Sequence, residues 1–166
     1  YYENWENFSF NYCNSTKRSE DDRKKEWYDY YRKKIFYNSK LKKKNYLDIG
    51  CGWGGCVSAF HKLGFKSYGI DPQKQCIDFA KSKYNKCTFF NSTVDNLIKN
   101  KKYHNYFSII TLHDVLEHIA EPKLLIKQIN KLLKKNGKLF IKVPNSQSLQ
   151  VDILKEYSWE VSPPFH

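Results

Sequence analysis

Four glycines lie within six residues, at positions 50, 52, 54 and 55, directly after the short apolar segment 46–49. Those at 50, 52 and 55 match the spacing G-x-G-x-x-G, and a helical pattern follows them as far as Gly64. Glycine lets the main chain bend sharply and approach a ligand closely, so a strand, a tight turn and a helix are predicted here. In an open α/β sheet such a turn borders the ligand crevice. The alternative is a tight turn with a structural role alone.

Strand-like and helix-like segments alternate along the rest of the chain. Strands are predicted at residues 46–49, 66–70, 87–90, 107–112 and 138–143. Helices are predicted at residues 19–36, 55–63 and 73–84, and from Pro122 to the Asn136-Gly137 pair. Strands joined by helix-length connections form a parallel sheet, and right-handed crossovers make it a doubly wound, Rossmann-like α/β domain.

The predicted domain organisation places this α/β domain at residues 45–166 and a helical, aromatic segment at residues 1–44. In that segment Ser19 is a candidate helix cap, and Trp27, Tyr30, Tyr31 and Ile35 lie near helical spacing, which gives the helix one face to bury. We expect the segment to act as a cap on the acceptor side of the site. The fifth strand would be a bare apolar edge, so we also expect further C-terminal strands outside this sequence.

Two aspartates flank the glycine-rich turn in positions that constrain the ligand. Asp71 lies 21 positions after Gly50 at the end of the second strand, where a carboxylate can accept hydrogen bonds from both hydroxyls of a ribose. Asp48 precedes Gly50 by two residues and would repel a pyrophosphate. S-adenosylmethionine has no phosphate and carries a cationic ammonium and a cationic sulfonium group, so Asp48 favours this ligand over a nicotinamide dinucleotide.

Composition narrows the class of protein. The chain has 166 residues and a net charge of +12, yet of its 29 basic residues only Arg18, Arg23 and Arg32 are arginines. Nucleic-acid recognition favours arginine, so a solvated lysine surface is the preferred interpretation, with a polyanionic partner as the alternative. The five cysteines form no C-x-x-C pair, which favours neither disulfides nor zinc. We expect a cytoplasmic protein, since no apolar run approaches about 20 residues.

Four segments together resemble the motifs of class I S-adenosylmethionine-dependent methyltransferases, in particular the ubiquinone-type O-methyltransferases and their relatives. They are residues 47–54 (LDIGCGWG), 69–72 (GIDP), 107–119 (FSIITLHDVLEHI) and 132–145 (LLKKNGKLFIKVPN). The resemblance extends from about residue 46 to residue 145. It implies an α/β fold with strand order 3-2-1-4-5 and S-adenosylmethionine as cofactor.

The resemblance also implies a set of cofactor-binding residues. The methionine part of the cofactor would be held by Asp48, Gly50, Cys51, Gly52 and Gly54. The ribose would be bound at Asp71 and Pro72, and the sulfonium and methyl end would be lined by Leu112 and His113. Many family members bind the adenine amino group with an acid after the third strand. Here Thr93 stands at that position, so we expect its hydroxyl and the main chain of Val94 to substitute.

His113, at the end of the fourth strand, is the candidate general base or acceptor-orienting group. The alternative is a histidine that only lines the cofactor pocket. The next residues, Asp114, Glu117 and His118, have the spacing D-x-x-E-H and resemble the metal-binding E-x-x-E-H of small-RNA terminal 2′-O-methyltransferases, with His166 as a further ligand. The same sequence closes a local turn in methyltransferases that need no metal, so we expect no metal.

The function expected from these residues is transfer of a methyl group to a small-molecule or glycan-type acceptor, on oxygen. One alternative is metal-assisted methylation of an RNA end, which the +12 charge and the D-x-x-E-H set would favour. Another is a cofactor-binding module without catalysis. Nucleic acid is therefore a partner that is considered but not preferred, and the sequence does not predict an oligomeric state.

Overall fold

The structure is a computed structural model that describes residues 20–35 and 44–154. The helices are α1 (Glu20–Ile35), α2 (Gly55–Lys62), α3 (Lys74–Lys83), α4 (Val94–Leu97), α5 (Pro122–Leu132) and α6 (Leu149–Leu154). The strands are β1 (Asn45–Ile49), β2 (Lys66–Asp71), β3 (Thr88–Asn91), β4 (Phe107–His113) and β5 (Leu133–Lys142). Single 3₁₀ turns lie at Lys101–Tyr103 and Leu116–His118. In this part of the chain no helix is long and apolar enough to cross a bilayer.

The five strands form one parallel sheet in the order β3-β2-β1-β4-β5, which confirms the predicted doubly wound α/β fold. The chain runs from β1 outward to β2 and β3, then returns to place β4 on the other side of β1. In the register of the central strands, Ile49 pairs with Ile70 of β2 and with Leu112 of β4. The carboxyl ends of β1, β2 and β4 therefore meet at one edge of the sheet.

Helices cover both faces of the sheet. Leu47 and Ile49 point to one face, where they share a core with α4 and α5. Successive residues of a strand point to opposite faces, and Tyr46 accordingly lies on the other face. There it packs with Tyr31 of α1 and Phe60 of α2. Helix α3 packs against α2 on this second face.

Helix α1 buries a narrower face than its sequence predicts. Tyr31 is 2% exposed, and Trp27 packs beside it, but Tyr30 is 48% exposed, so its predicted burial is wrong. Tyr30 instead meets the rings of Trp27 and Tyr31 edge-on from the solvent side. The cap at Ser19 and the side chain of Ile35 lie outside the described residues.

The turn at Asn136 and Gly137 lies within β5 and not at the end of a helix. Helix α5 already ends at Leu132, and β5 begins at the next residue. Phe107 of β4 pairs with Leu133 whereas Ile109 pairs with Lys138, so residues 134–137 bulge out of the sheet. Asn136 has φ +65° in this bulge, a conformation that asparagine tolerates better than most residues.

Phe60 should contribute most to the packing of α1 and α2 on the sheet. It is fully buried, stacks on Tyr46 at 3.6 Å between ring centroids and lies 4.7 Å from the ring of Tyr31. We expect Phe60→Ala to lower the free energy of unfolding by about 3–5 kcal/mol, measured by urea denaturation. The control is Phe79→Ala on α3, where the ring is 37% exposed and the loss should stay below about 1 kcal/mol. Equal losses in the two variants would contradict this packing.

Candidate active site

The candidate site lies where the chain reverses direction across the sheet, between the carboxyl ends of β1 and β4. In open α/β sheets this switch point forms the ligand crevice. The glycine-rich turn follows β1, Asp71 ends β2, and His113 ends β4. The topology thus brings together residues that lie more than 60 positions apart in the sequence.

The glycine-rich turn is tightly packed at both ends, at Gly50 and Gly54, and open in the middle, at Gly52. Gly50 has φ +70°, and a Cβ placed on it would lie 2.3 Å from Cγ2 of Val115, so only glycine fits. Gly52 has φ +48°, but a Cβ there would meet no heavy atom within 4 Å. Gly54, with φ +84°, precedes α2, and its N–H donates to the carbonyl of Cys51 at 2.9 Å. The open space beside Gly52 is where a ligand can approach the main chain.

The thiol of Cys51, a residue predicted to contact the cofactor, donates to the carbonyl oxygen of Gly52 at 3.8 Å. It is 7% exposed and packs with Val57 and Ile77 in the core between the sheet and α3. Burial, followed by the charges of Asp48 and Asp71, raises the pKa of the Cys51 thiol well above its usual range. A ligand in the crevice can therefore meet only the main chain of Cys51.

Asp71 connects the end of β2 to the glycine-rich turn. Its Oδ2 accepts the N–H of Gly52 at 2.9 Å, and its Oδ1 accepts the N–H of Gln73 at 2.8 Å. The carboxylate is 8% exposed, and burial raises its pKa although these two hydrogen bonds oppose the shift. The side chain of Asn91 donates to the main-chain carbonyls of Asp71, at 3.0 Å, and of the exposed Pro72, at 2.7 Å. The ends of β2 and β3 are thereby joined.

The two residues predicted near the adenine follow β3. Ser92 donates its N–H to the main-chain carbonyl of Asp71 at 3.1 Å, which places this segment beside Asp71. Thr93 is exposed at the start of α4 and makes no side-chain cap hydrogen bond. The Val94 side chain is 5% exposed and lies in the core. The adenine contacts of Thr93 and of the Val94 main chain stay predictions.

Asp48 is the most deeply buried acid of the site, at 3% exposure. The sheet register pairs it with Thr111 of β4, whose hydroxyl donates to Oδ1 at 2.5 Å. The Thr111 oxygen is 2.6 Å from the hydroxyl of Tyr46, which in turn is 3.1 Å from Sγ of Cys56. Burial, and next the charge of Asp48, raise the pKa of both Tyr46 and Cys56 well above their usual ranges. Neutral donors thus surround the carboxylate.

His113 lies between Asp48 and helix α1. Its Nδ1 is 3.5 Å from Oδ1 of Asp48, and its Nε2 is hydrogen-bonded to the hydroxyl of Tyr31. The indole of Trp27 packs against the imidazole at 4.3 Å between ring centroids. Leu112, predicted to line the same part of the site, is fully buried in the core on the opposite face of the sheet.

Tyr31 and Trp27 are the two site residues that the sequence analysis missed, since it assigned them only to the buried face of a helix. Tyr31 pairs with His113 across 82 positions of the sequence, and Trp27 packs on the same imidazole. Helical periodicity does not reveal such contacts. The available signal is composition: α1 buries a tyrosine and a tryptophan where an ordinary core helix has aliphatic residues. Tyrosine and tryptophan carry a polar group that needs a partner when it is buried.

Two groups of residues have donor atoms suited to a metal ion. Both carboxylate oxygens of Asp114 bind Nζ of Lys142, at 3.0 and 2.9 Å, which turns this side chain toward β5, while Glu117 lies 4.0 Å from His118. His166 is outside the described residues. Donor atoms of Asp48, Cys56 and His113 lie within 4.8 Å of one another. However, Asp48 and Cys56 are already hydrogen-bonded to Thr111 and Tyr46.

Comparisons with known proteins agree on one family. The family model for a methyltransferase domain matches residues 21–164. A ubiquinone biosynthesis O-methyltransferase of Pelagibacter ubique is 37% identical over 108 residues, which are 63% of this chain and 44% of the relative. The chain thus spans less than half the length of that curated relative.

Solved structures share the fold. A SAM-dependent methyltransferase of Archaeoglobus fulgidus superposes with a TM-score of 0.70 at 22% identity, over 96% of this chain and 68% of the other. The magnesium protoporphyrin IX methyltransferase of Synechocystis, solved with bound SAM, gives a TM-score of 0.59 at 21% identity, over 80% and 66% of the two chains. At these identities the likeness establishes the fold.

Proposed function

Because the chain belongs to the methyltransferase-domain family, we propose that it transfers a methyl group from S-adenosylmethionine to an oxygen of a small-molecule or glycan-type acceptor. The observation that carries this proposal is the buried pair of Asp48 and His113 at the switch point of the sheet, beside the open turn at Gly52. The name of the Pelagibacter relative, an O-methyltransferase, supports oxygen as the acceptor atom.

The residues of the crevice fit S-adenosylmethionine. Asp48 and Asp71 make its floor anionic, which suits an α-ammonium group and a sulfonium and repels a pyrophosphate. Each oxygen of Asp71 accepts one backbone hydrogen bond, and a carboxylate has about four acceptor sites. Asp71 can therefore accept the ribose hydroxyls while it keeps the turn in place. The open main chain at Gly52 gives room for the methionine part.

The chemistry required of the protein is modest. S-adenosylmethionine supplies a methyl group attached to a positively charged sulfur, and an oxygen acceptor must lose a proton as it reacts. His113 can take that proton at Nε2, since its Nδ1 faces Asp48, whose charge stabilises the imidazolium. The glycine-rich turn would hold the cofactor in line with the acceptor.

The RNA-end alternative finds little support in the arrangement of its residues. It needs Asp114, Glu117 and His118 to converge on a metal, but Asp114 is paired with Lys142. The net charge of +12 is its remaining support. A cofactor-binding module without catalysis would bind S-adenosylmethionine and methylate no acceptor.

We expect Asp71→Ala to weaken S-adenosylmethionine and S-adenosylhomocysteine alike, because both carry the same ribose. Loss of hydrogen bonds to a charged group should raise both dissociation constants roughly 30- to 1,000-fold, measured by calorimetric titration. Asp78→Ala on α3, whose carboxylate lies at the exposed surface beside Lys74, is the control and should bind both ligands normally. Unchanged affinity in a folded Asp71→Ala protein would contradict the assignment.

We expect His113→Gln to lower the rate of methyl transfer by about 100-fold or more, because no imidazole is then present to take the proton of the acceptor hydroxyl. The acceptor is first found by incubating the protein with radiolabelled S-adenosylmethionine and small-molecule or RNA fractions of cells. The control is His104→Gln, since His104 binds the carbonyl of Ile98 and lies away from the site. Full activity in His113→Gln would contradict a base role.

The same labelling experiment tests the RNA-end alternative. Transfer of label to RNA, with activity lost in EDTA and restored by manganese, would favour that alternative.

A further inference from the structure

Helix α1 places a phenol on the nitrogen of His113 that an acceptor would need. The Tyr31 ring is 2% exposed and lies between Phe60, at 4.7 Å, and Phe140, at 6.1 Å between ring centroids. Its hydroxyl is hydrogen-bonded to Nε2 of His113, and the Trp27 ring covers the same imidazole. The His113 side chain keeps only 9% exposure. An acceptor cannot reach Nε2 while Tyr31 occupies this position.

The direction of the hydrogen bond follows from the surroundings. Burial raises the pKa of Tyr31 far above its usual range, and the nearby Cys56 and Asp48 raise it further. The phenol therefore keeps its proton, and the Asp48 carboxylate, which can only accept, faces Nδ1 of His113 and leaves Nε2 as the acceptor of the Tyr31 proton. In a neutral imidazole the proton then lies on Nδ1, which faces Oδ1 of Asp48 at 3.5 Å. This tautomer presents the basic lone pair of His113 to Tyr31.

We propose that the Tyr31 hydroxyl holds the place of the acceptor hydroxyl, and that the acceptor replaces it on Nε2 of His113 when α1 moves aside. The inference rests on the proposed function. Nε2 has a single lone pair, so two O–H donors cannot share it at full strength. Once the acceptor is in place, its O–H proton passes to Nε2. Its oxygen forms the new bond to the methyl carbon, and the sulfur keeps the electron pair of the broken C–S bond.

A movement of α1 would separate only one face of the helix from the body of the domain. Its contacts with the body of the domain run through one aromatic face, formed by Trp27, Tyr28 and Tyr31. The opposite face is exposed and charged, with Lys25, Glu26, Arg32 and Lys33. Tyr30 lies on the same helix and is 48% exposed, so it provides a matched control for changes at Tyr31.

The first test reads the tautomer of His113 by ¹⁵N NMR of histidine-labelled protein. We expect a protonated Nδ1 and a hydrogen-bonded Nε2 in the wild type and in Tyr30→Phe. In Tyr31→Phe, which keeps the ring, the Nε2 resonance should move to that of a nitrogen that has lost its donor. A Tyr31→Phe spectrum identical to that of the wild type would overturn the proposal.

The second test replaces the tyrosine side chain by a free phenol. Tyr31→Ala leaves space for p-cresol, and p-xylene is the matched ligand that lacks the hydroxyl. If a hydroxyl can be exchanged on Nε2, p-cresol should bind about fivefold more tightly than p-xylene, the equivalent of one net hydrogen bond. It should also restore the wild-type signal of His113. Equal binding of the two ligands, or an unrestored signal, would overturn the proposal.

We call the proposed role of the Tyr31 hydroxyl, which holds the place of the acceptor hydroxyl, the placeholder role. Its failure and the failure of the proposed function give different experimental results. Radiolabelled S-adenosylmethionine is added to Tyr31→Ala with p-cresol bound. Transfer of label to the p-cresol oxygen would support both ideas. If p-cresol restores the His113 signal and S-adenosylmethionine binds, but no label moves, the placeholder role stands and the base role of His113 is wrong. If Tyr31→Ala fails to fold, the Tyr31→Phe spectrum alone decides the proposal.

Discussion

The hydrogen bond between Thr111 and the buried carboxylate of Asp48 is the interaction on which the site depends. A charged group that is 3% exposed is costly unless hydrogen bonds compensate for its lost hydration. The register of β1 and β4 supplies that compensation, because it sets Thr111 opposite Asp48 and His113 two residues further along the same face. A slip of β4 by one residue would turn Thr111 and His113 to the other face of the sheet, away from Asp48.

The surroundings of Asp48 explain why this face of the sheet is aromatic and polar at once. Burial raises the pKa of Tyr46, Cys56 and Tyr31, so all three side chains stay neutral, and the charge of Asp48 raises each pKa further. The Thr111 hydroxyl donates to this carboxylate, and Nδ1 of His113 lies 3.5 Å from it. In the proposed function, that charge serves the cationic cofactor and the imidazolium of His113. Asp48 would therefore contribute both to binding of the cofactor and to proton transfer through His113.

Much of this arrangement could be predicted from the sequence. The alternation of strands and helices predicts a parallel sheet, and the resemblance to class I methyltransferases implies its strand order. The glycine spacing predicts a tight turn, which at Gly50 only glycine can make. The direction in which individual side chains point is harder to predict from the sequence. Cys51 and Leu112 are buried because strand and turn geometry point them into the core. The contact between Tyr31 and His113 depends on how α1 docks, and local pattern does not encode that docking. Nor does it show that Asp71 binds the backbone of the glycine-rich turn.

The central claim is that Asp48 makes this crevice a site for a cationic, phosphate-free ligand. The most direct measurement is calorimetric titration of the wild type and of the isosteric Asp48→Asn with S-adenosylmethionine and NAD. The wild type should bind S-adenosylmethionine and give no measurable signal with NAD. Asp48→Asn, which loses the charge, should bind S-adenosylmethionine about 10- to 100-fold more weakly. Tight binding of NAD by the wild type, or unchanged affinity in a folded Asp48→Asn protein, would contradict the account.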